Sequence, residues 1–250
     1  VFVFTLIAQA AAGVVTWFGL RPDPLLAARA LAGQQETGPA PARSAGTSMA
    51  HPGSNRVELS QVPGAARTST QVMIIALIAP VHAVMVAIMA KSPLHITEHG
   101  GSITLVGLTI SLHIAGMYAL SPVFGMLAGR FGSPPVILGG FGILAAAVTC
   151  TAFGGDSHIA IQIGLVLLGL GWGAVTVAGA ALLTEVTPAG IRPKRQGQSD
   201  TVMNASGALA GATSGVLFAI GGFPLLSLLG AALVAAGVVL VLRLFSLVRR

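Results

Sequence analysis

The chain has 250 residues, of which 54% are hydrophobic and 8% are charged, and its mean hydropathy is +0.87. Soluble domains have about 25% charged residues, so this composition excludes an ordinary soluble protein and indicates an integral protein of the lipid bilayer. The formal net charge of +6 does not indicate nucleic-acid binding, because the basic residues are scattered between apolar segments. Cys150 is the single cysteine, which excludes an intrachain disulfide and favours a packing role.

Uncharged segments of about 20 residues, the length that crosses a bilayer, recur along the chain. The first is residues 1–20, and we expect no cleavable signal peptide because no basic segment precedes it. Residues 22–71 are rich in Gly, Pro, Ala and Ser, which predicts a flexible linker. The turn signal Gly-Gly-Phe-Pro at 221–224 divides the last long apolar segment in two. Six further spans are therefore predicted, at 72–90, 103–128, 135–154, 159–183, 201–221 and 224–243.

These segments predict an all-α polytopic membrane protein with seven transmembrane helices. Lysine and arginine predict its orientation, since they concentrate in cytoplasmic loops. If the linker is cytoplasmic, Lys91 is the one basic residue outside and the other twelve are inside. We therefore expect a multi-pass protein of the inner membrane with a cytoplasmic C-terminal tail at 248–250.

The segment "GMLAGRFGSPP" at 125–135 interrupts two apolar segments. Gly125 and Gly129 form a G-x-x-x-G pair, which predicts a close approach between helices. Arg130 is expected at the water interface, where it can reach helix-end carbonyls or a carboxylate. Gly132 and the prolines at 134–135 are expected to end one helix and begin the next.

This turn resembles the signature of the major facilitator superfamily (MFS), which reads Gly-x-Leu-Ala-Asp-Arg-x-Gly-Arg-Lys. The stretches "GLRPDPL" (19–25), "HIAGMYALSPVFG" (113–125) and "LLTE" (182–185) extend the resemblance over the chain. The chain departs from the signature at Gly129, Ser133 and Pro134. The residues that match it, at the position of the family's eighth helix, are Gly125, Leu127, Ala128, Arg130 and Gly132.

The resemblance implies the C-terminal half of a twelve-helix transporter. Residues 1–21 would be the last helix of the N-terminal bundle, 22–71 the cytoplasmic central loop, and 72–247 a six-helix bundle. It implies secondary active transport by alternating access, coupled to an ion or proton gradient, with efflux of a small molecule favoured. Neither a cofactor nor enzymatic activity is expected. The expected partner is the missing N-terminal six-helix half, and we expect no transport without it.

The candidate site residues form two groups. Glu185 and Asp200 lie on the cytoplasmic side in this topology, so Arg130 could pair with either as a gate latch; alternatively, Arg130 only anchors the helix at the interface. His82 lies midspan after Pro80, where it could bind substrate, carry a proton, or be a neutral interior histidine. The remaining residues assigned to the cavity face are His113, Met117, Tyr118 and Asn204.

Several motifs can be interpreted in more than one way. Gln162, Trp172 and Thr176 offer polar or aromatic edges within the 159–183 span, and packing is the expected role of Gln162 and Trp172. Glycines at 169 and 173, and at 207, 211 and 215, predict tight helix crossings. "HITEH" at 95–99 fits a zinc-enzyme pattern, but we expect a short outside loop with no metal, which makes a membrane metalloenzyme a weak hypothesis. A seven-helix receptor and an inactive or partner-dependent half-transporter are two further hypotheses that the sequence leaves open.

Overall fold

The computed structural model describes residues 64–154 and 157–248, and the regular elements in these two parts are all helical. The predicted all-α class is therefore confirmed. The long helices are packed side by side with connections of a few residues. In chain order the elements are α1 (Gly64–Glu98), α2 (Ile103–Tyr118), α3 (Ser121–Phe131), α4 (Ser133–Phe153), α5 (His158–Val186), a short 3-10 helix (Ala189–Ile191) and α6 (Arg192–Val248).

Within the described residues, five stretches are long and apolar enough to cross a membrane. The predicted total of seven spans is not confirmed, and the segment 1–20, the linker up to residue 63 and the tail at 249–250 lie outside the described residues. The five stretches are Thr68–Glu98, Ile103–Phe131, Ser133–Phe153, His158–Val186 and Ala189–Phe245.

Helix α6 is interrupted at the predicted turn. It has 57 residues, which corresponds to about 85 Å of helix, nearly three times the thickness of the hydrocarbon core. Gly221 (φ −144°, ψ 15°) and Gly222 (φ 60°, ψ −156°) leave the helical conformation. The positive φ of Gly222 suits a residue without a Cβ. The break leaves two arms, 192–220 and 223–248, and each has the length of a membrane span.

Helix boundaries differ from the sequence prediction at three places. Helix α1 begins at Gly64, so residues 64–71, assigned to the linker, are helical; no glycine or proline follows before Pro80. The same helix continues through Pro93 to Glu98, because Ile96 in its last turn is buried. The predicted loop at 95–99 is therefore wrong. The span predicted at 201–221 is also extended at its start, since α6 begins at Arg192.

The span predicted at 103–128 is two helices. Helix α2 ends at Tyr118 and α3 begins at Ser121. Pro122 explains the break, because it has no N–H to donate and its ring would clash with the carbonyl of Tyr118, four residues earlier. The next break is at Gly132 (φ 86°, ψ 155°), which ends α3 and begins α4 as predicted, with prolines in the first turn of α4.

Helix α5 makes the closest helix contacts, and its glycines permit them. On one side, a Cβ added to Gly169 would overlap the carbonyl oxygen of His113, and one added to Gly173 would lie 2.6 Å from the carbonyl oxygen of Met117. Both contacts are with α2. The predicted tight crossing at 169 and 173 is therefore confirmed.

Helix α5 also lies close to α4 and to α1. A Cβ on Gly171 would lie 3.0 Å from the carbonyl oxygen of Gly140 in α4. A Cβ on Gly179 would lie 2.8 Å from Cδ1 of Ile78 in α1. Helix α5 is consequently packed against α1, α2 and α4 through positions that have no side chain.

The second glycine ladder also forms a helix crossing. Gly207 faces the ring of His82, Gly211 faces Val86, and Gly215 faces the end of Lys91. These contacts join the first arm of α6 to α1, which confirms the predicted crossing. Ser206 adds a hydrogen bond across it, from its hydroxyl to the carbonyl oxygen of Ala79, at 2.8 Å.

We predict that Gly169→Ala destabilises the bundle by about 1–3 kcal/mol, because the new methyl group forces α2 away from α5. Gly142→Ala in α4 is the matched control, since its Cβ would have no described atom within 4 Å. This control should be neutral or more stable by about 0.5–1 kcal/mol. Thermal unfolding of both variants in one detergent measures the difference, and equal stabilities would contradict the proposed crossing.

Candidate substrate-binding site

His82 and Trp172 form a hydrogen bond between α1 and α5. The indole Nε1–H of Trp172 donates to Nδ1 of His82 at 3.0 Å. Because the indole nitrogen can only donate, Nδ1 of His82 must be the unprotonated acceptor. A neutral His82 in this arrangement carries its proton on Nε2.

Two further helices complete the surroundings of this pair. The ring of Tyr118, at the end of α2, meets the Trp172 ring edge-on, with centroids 6.0 Å apart and an angle of 75°. On the α6 side, a Cβ on Gly207 would lie 2.5 Å from Cδ2 and 2.8 Å from Nε2 of His82. The absence of a side chain at Gly207 is what leaves room for the imidazole.

Among these side chains, Trp172 is deeply buried and Tyr118 is exposed. Trp172 is 8% exposed and Tyr118 is 60% exposed. Thr176, one helical turn after Trp172, has a buried hydroxyl with no hydrogen-bond partner among the described residues. We call His82, Tyr118 and Trp172 the aromatic cluster. It combines apolar ring surface with two polar groups, the imidazole of His82 and the hydroxyl of Tyr118, that can receive a ligand.

His113 and Met117 lie inside a helix interface. His113 is fully buried, and its Nδ1 lies 2.7 Å from the carbonyl oxygen of Leu165 in α5, to which it donates. Met117 is 8% exposed and contacts Gly169 and Gly173. The two residues share a helix face as expected, and that face is turned towards α5. Their predicted contact with substrate stays a prediction.

Asn204 and Asp200 both lie on the exposed side of α6. The amide of Asn204 donates to the backbone oxygen of Asp200 at 2.7 Å, within the same helix. The structure thus brings these two residues together, as their spacing predicts. The assignment of Asn204 to the cavity also stays a prediction.

The signature turn lies where α3, α4 and α5 end or begin. The Arg130 guanidinium lies 5.4 Å from the ring centroid of Phe131, its neighbour in sequence. In the part of the chain that the structure describes, Arg130 forms no ion pair with Glu185 or Asp200. The side chain that faces the Glu185 carboxylate is the buried hydroxyl of Ser133, which makes no hydrogen bond of good geometry.

The remaining signature residues divide into exposed glycines and packed side chains. A Cβ on Gly125 or Gly129 would have no described atom within 4 Å. The predicted close approach at this G-x-x-x-G pair is therefore wrong for the described helices, because the pair lies on the exposed side of α3. Ala128 is buried, and Leu127 lines an apolar cavity of about 300 Å³ between α3, α4 and α5.

A larger cavity, of about 600 Å³, lies at the opposite end of the bundle from Arg130. Its walls include Glu98, Phe218 and the mutually tilted rings of His95 and Phe223, whose centroids are 4.5 Å apart. His95 and His99 belong to the "HITEH" segment. Over residues 64–154 and 157–248, no three histidine, cysteine or acidic side chains are grouped so that they could hold a metal ion.

Trp172 is the functional candidate that the sequence prediction missed. An indole N–H in the middle of an apolar span requires an acceptor, and the sequence offers few polar side chains at that depth. The pairing with His82, 90 positions earlier, depends on which faces of α1 and α5 meet. Composition and spacing do not determine this.

Comparison with known proteins places these features in one family. Residues 67–250 match the family model of the Major Facilitator Superfamily. The chain is 34% identical over 223 residues to the uncharacterized MFS-type transporter YddS of Bacillus subtilis, covering 89% of this chain and 48% of that protein. It is 36% identical over 230 residues to the uncharacterized MFS-type transporter YdeG of the same organism, covering 92% of this chain and 50% of that protein.

A third relative has a named substrate. The chain is 30% identical over 164 residues to the riboflavin transporter RfnT of Brucella anthropi, covering 65% of this chain and 41% of that protein. The chain spans about half the length of the curated relatives it matches. Its apolar helices and these matches make it an integral multi-pass membrane protein, and they point to a transporter rather than to an enzyme. The chain belongs to the Major Facilitator Superfamily.

Proposed function

We propose that this chain forms one half of a secondary transporter that moves a small organic molecule across the membrane by alternating access. In this mechanism two six-helix halves rock around a site near the middle of the bilayer. The observation that carries the proposal is the aromatic cluster, because polar and ionisable groups within a span mark substrate or ion pathways. The missing half would supply the opposite wall of the site.

We propose efflux as the direction and an ion or proton gradient as the energy source. Support for proton coupling comes from the sequence: His82 in α1 and His113 in α2 are titratable residues within predicted spans. Support for an inner-membrane location with a cytoplasmic C-terminus comes from the distribution of lysine and arginine. In this orientation the signature turn is cytoplasmic.

A planar aromatic molecule is the substrate class that best fits the cluster. The exposed ring of Tyr118 meets the buried ring of Trp172 at an angle of 75°, and flat aromatic ligands bind exposed aromatic rings by stacking. The relative named as a riboflavin transporter supplies a first probe of this class. We therefore propose riboflavin as the test compound.

Transport of riboflavin should depend on the Tyr118 ring. In liposomes that contain the chain together with its N-terminal half, Tyr118→Ala should reduce gradient-driven riboflavin flux about fivefold, because the loss of a stacking partner costs on the order of 1 kcal/mol. Tyr118→Phe is the matched control and should retain most of the flux. Equal flux in Tyr118→Ala and the unsubstituted protein would contradict the proposed site.

The same assay tests whether the chain is sufficient alone. Liposomes that contain only the 250-residue chain should show no gradient-driven flux, since one wall of the site is missing. Flux by the chain alone would refute its role as a half. Sizing the native protein with an antibody to residues 36–56 distinguishes a separate partner from a longer product of the same gene. An inactive half would give no flux in either preparation.

We also propose that Arg130 forms a gate latch with Glu185 or Asp200 in another state of the transport cycle. Arg130→Ala should slow flux several-fold. Arg130→Lys keeps the positive charge at the interface, so its flux should be reduced much less if Arg130 only anchors the helix. Initial rates of riboflavin flux measure the difference. Wild-type rates in both variants would leave no latch function for this residue.

A further inference from the structure

The hydrogen bond between Trp172 and His82 is compatible with one protonation state of the imidazole. We propose that Nδ1 of His82 is a proton-binding site, and that proton binding there releases the contact between α1 and α5. This inference deepens the proposed transport function and rests on it for its biological role. The contact itself can be tested without any transport measurement.

The chemistry follows from the two side chains. Indole has one N–H and no acceptor, and protonated imidazole has two N–H groups and no acceptor. A proton that Nδ1 takes from a hydronium ion, which leaves a water molecule, occupies the lone pair that now accepts the Trp172 hydrogen bond at 3.0 Å. Two donors then face each other. The proton adds one positive charge, no other group is released, and the indole N–H must find a new acceptor.

The packing around His82 transmits this change to the helices. On its other side the imidazole is packed against Gly207. A Cβ added there would lie 2.5 Å from the ring, so the ring already fills the space that a side chain would occupy. The ring therefore cannot retreat towards α6 by more than a small rotation. To separate the two donors, α1 and α5 must move apart or α6 must move away from α1. Substrate or the opposite half could then enter between α1 and α5.

Few other ionisable groups lie near His82 and could bind the proton in its place. Helix α5 presents Trp172 and α6 presents Gly207, and neither side chain titrates. Helix α2 contributes Tyr118, which contacts Trp172, and His113, whose Nδ1 donates to the Leu165 carbonyl and whose buried Nε2 has no hydrogen-bond partner among the described residues. Asp200 is seven residues before Gly207 in α6, about 10 Å along the helix axis.

Fluorescence of a single tryptophan tests the proposal. Trp17 and Trp172 are the two tryptophans of the chain, so Trp17→Phe leaves Trp172 as the reporter in the full-length chain. Its emission should show a reversible, single-proton transition as the pH is lowered from about 8 to 5, the range in which histidines titrate. The emission changes because the indole loses its acceptor and gains a neighbouring cation.

His82→Gln is the matched control, because its amide oxygen can accept the indole hydrogen bond and does not titrate. The transition should be lost in this variant and retained in His113→Gln. A transition of the same size in His82→Gln, or a pH-independent Trp172 in the His82 protein, would overturn the proposal. Far-UV circular dichroism confirms that each variant keeps its helices.

A second measurement applies if His82→Gln fails to fold. Nitrogen-15 NMR of labelled histidine follows His82 directly in Trp172→Phe, which keeps an aromatic ring and removes the donor. Because the donor stabilises neutral His82, its removal should increase the proton affinity of His82 about three- to tenfold. Unchanged proton affinity would overturn the proposal. Riboflavin flux that persists while the transition is absent refutes the proton site and leaves the transport function intact.

Discussion

The close packing of α5 is the constraint on which the rest of the bundle depends. In a bilayer there is no hydrophobic driving force between helices, so association relies on close contact between backbones. Helix α5 meets this requirement with glycines on three sides, which face α2 at Gly169 and Gly173, α4 at Gly171 and α1 at Gly179. A larger side chain at Gly169 or Gly173 would meet backbone oxygens of α2 and displace that helix rather than fill a gap.

The aromatic cluster is a consequence of this packing. Trp172 lies between Gly171 and Gly173, so the bulky indole occupies the one direction that those contacts leave open, towards α1. There its N–H meets His82, whose ring is accommodated by Gly207. The polar pair is thereby fixed at a depth where unpaired polar groups are costly. This ties a candidate transport site to the same glycines that hold the helices together.

Features that depend on local sequence were predictable, and features that depend on helix orientation were not. The breaks at Gly132 and Gly222 and the glycine crossings follow from residue types with a local physical effect. The C-terminal end of α1 was predicted too early, because the burial of Ile96 outweighs the helix-breaking effect of Pro93. The shared face of His113 and Met117 was recognised, but whether that face meets α5 or a cavity depends on the packing of the whole bundle. For the same reason packing was the favoured role for Trp172.

The protonation state of His82 is the most direct measure of its contact with Trp172. Nitrogen-15 NMR of the histidine-labelled chain at neutral pH distinguishes the two ring nitrogens and identifies which one carries the proton. We expect a neutral ring that is protonated at Nε2, with Nδ1 accepting a hydrogen bond that disappears in Trp172→Phe. A proton on Nδ1 at neutral pH, or an Nδ1 signal that is unaffected by Trp172→Phe, would contradict the pairing of α1 with α5 on which the proposed site and its response to protons are built.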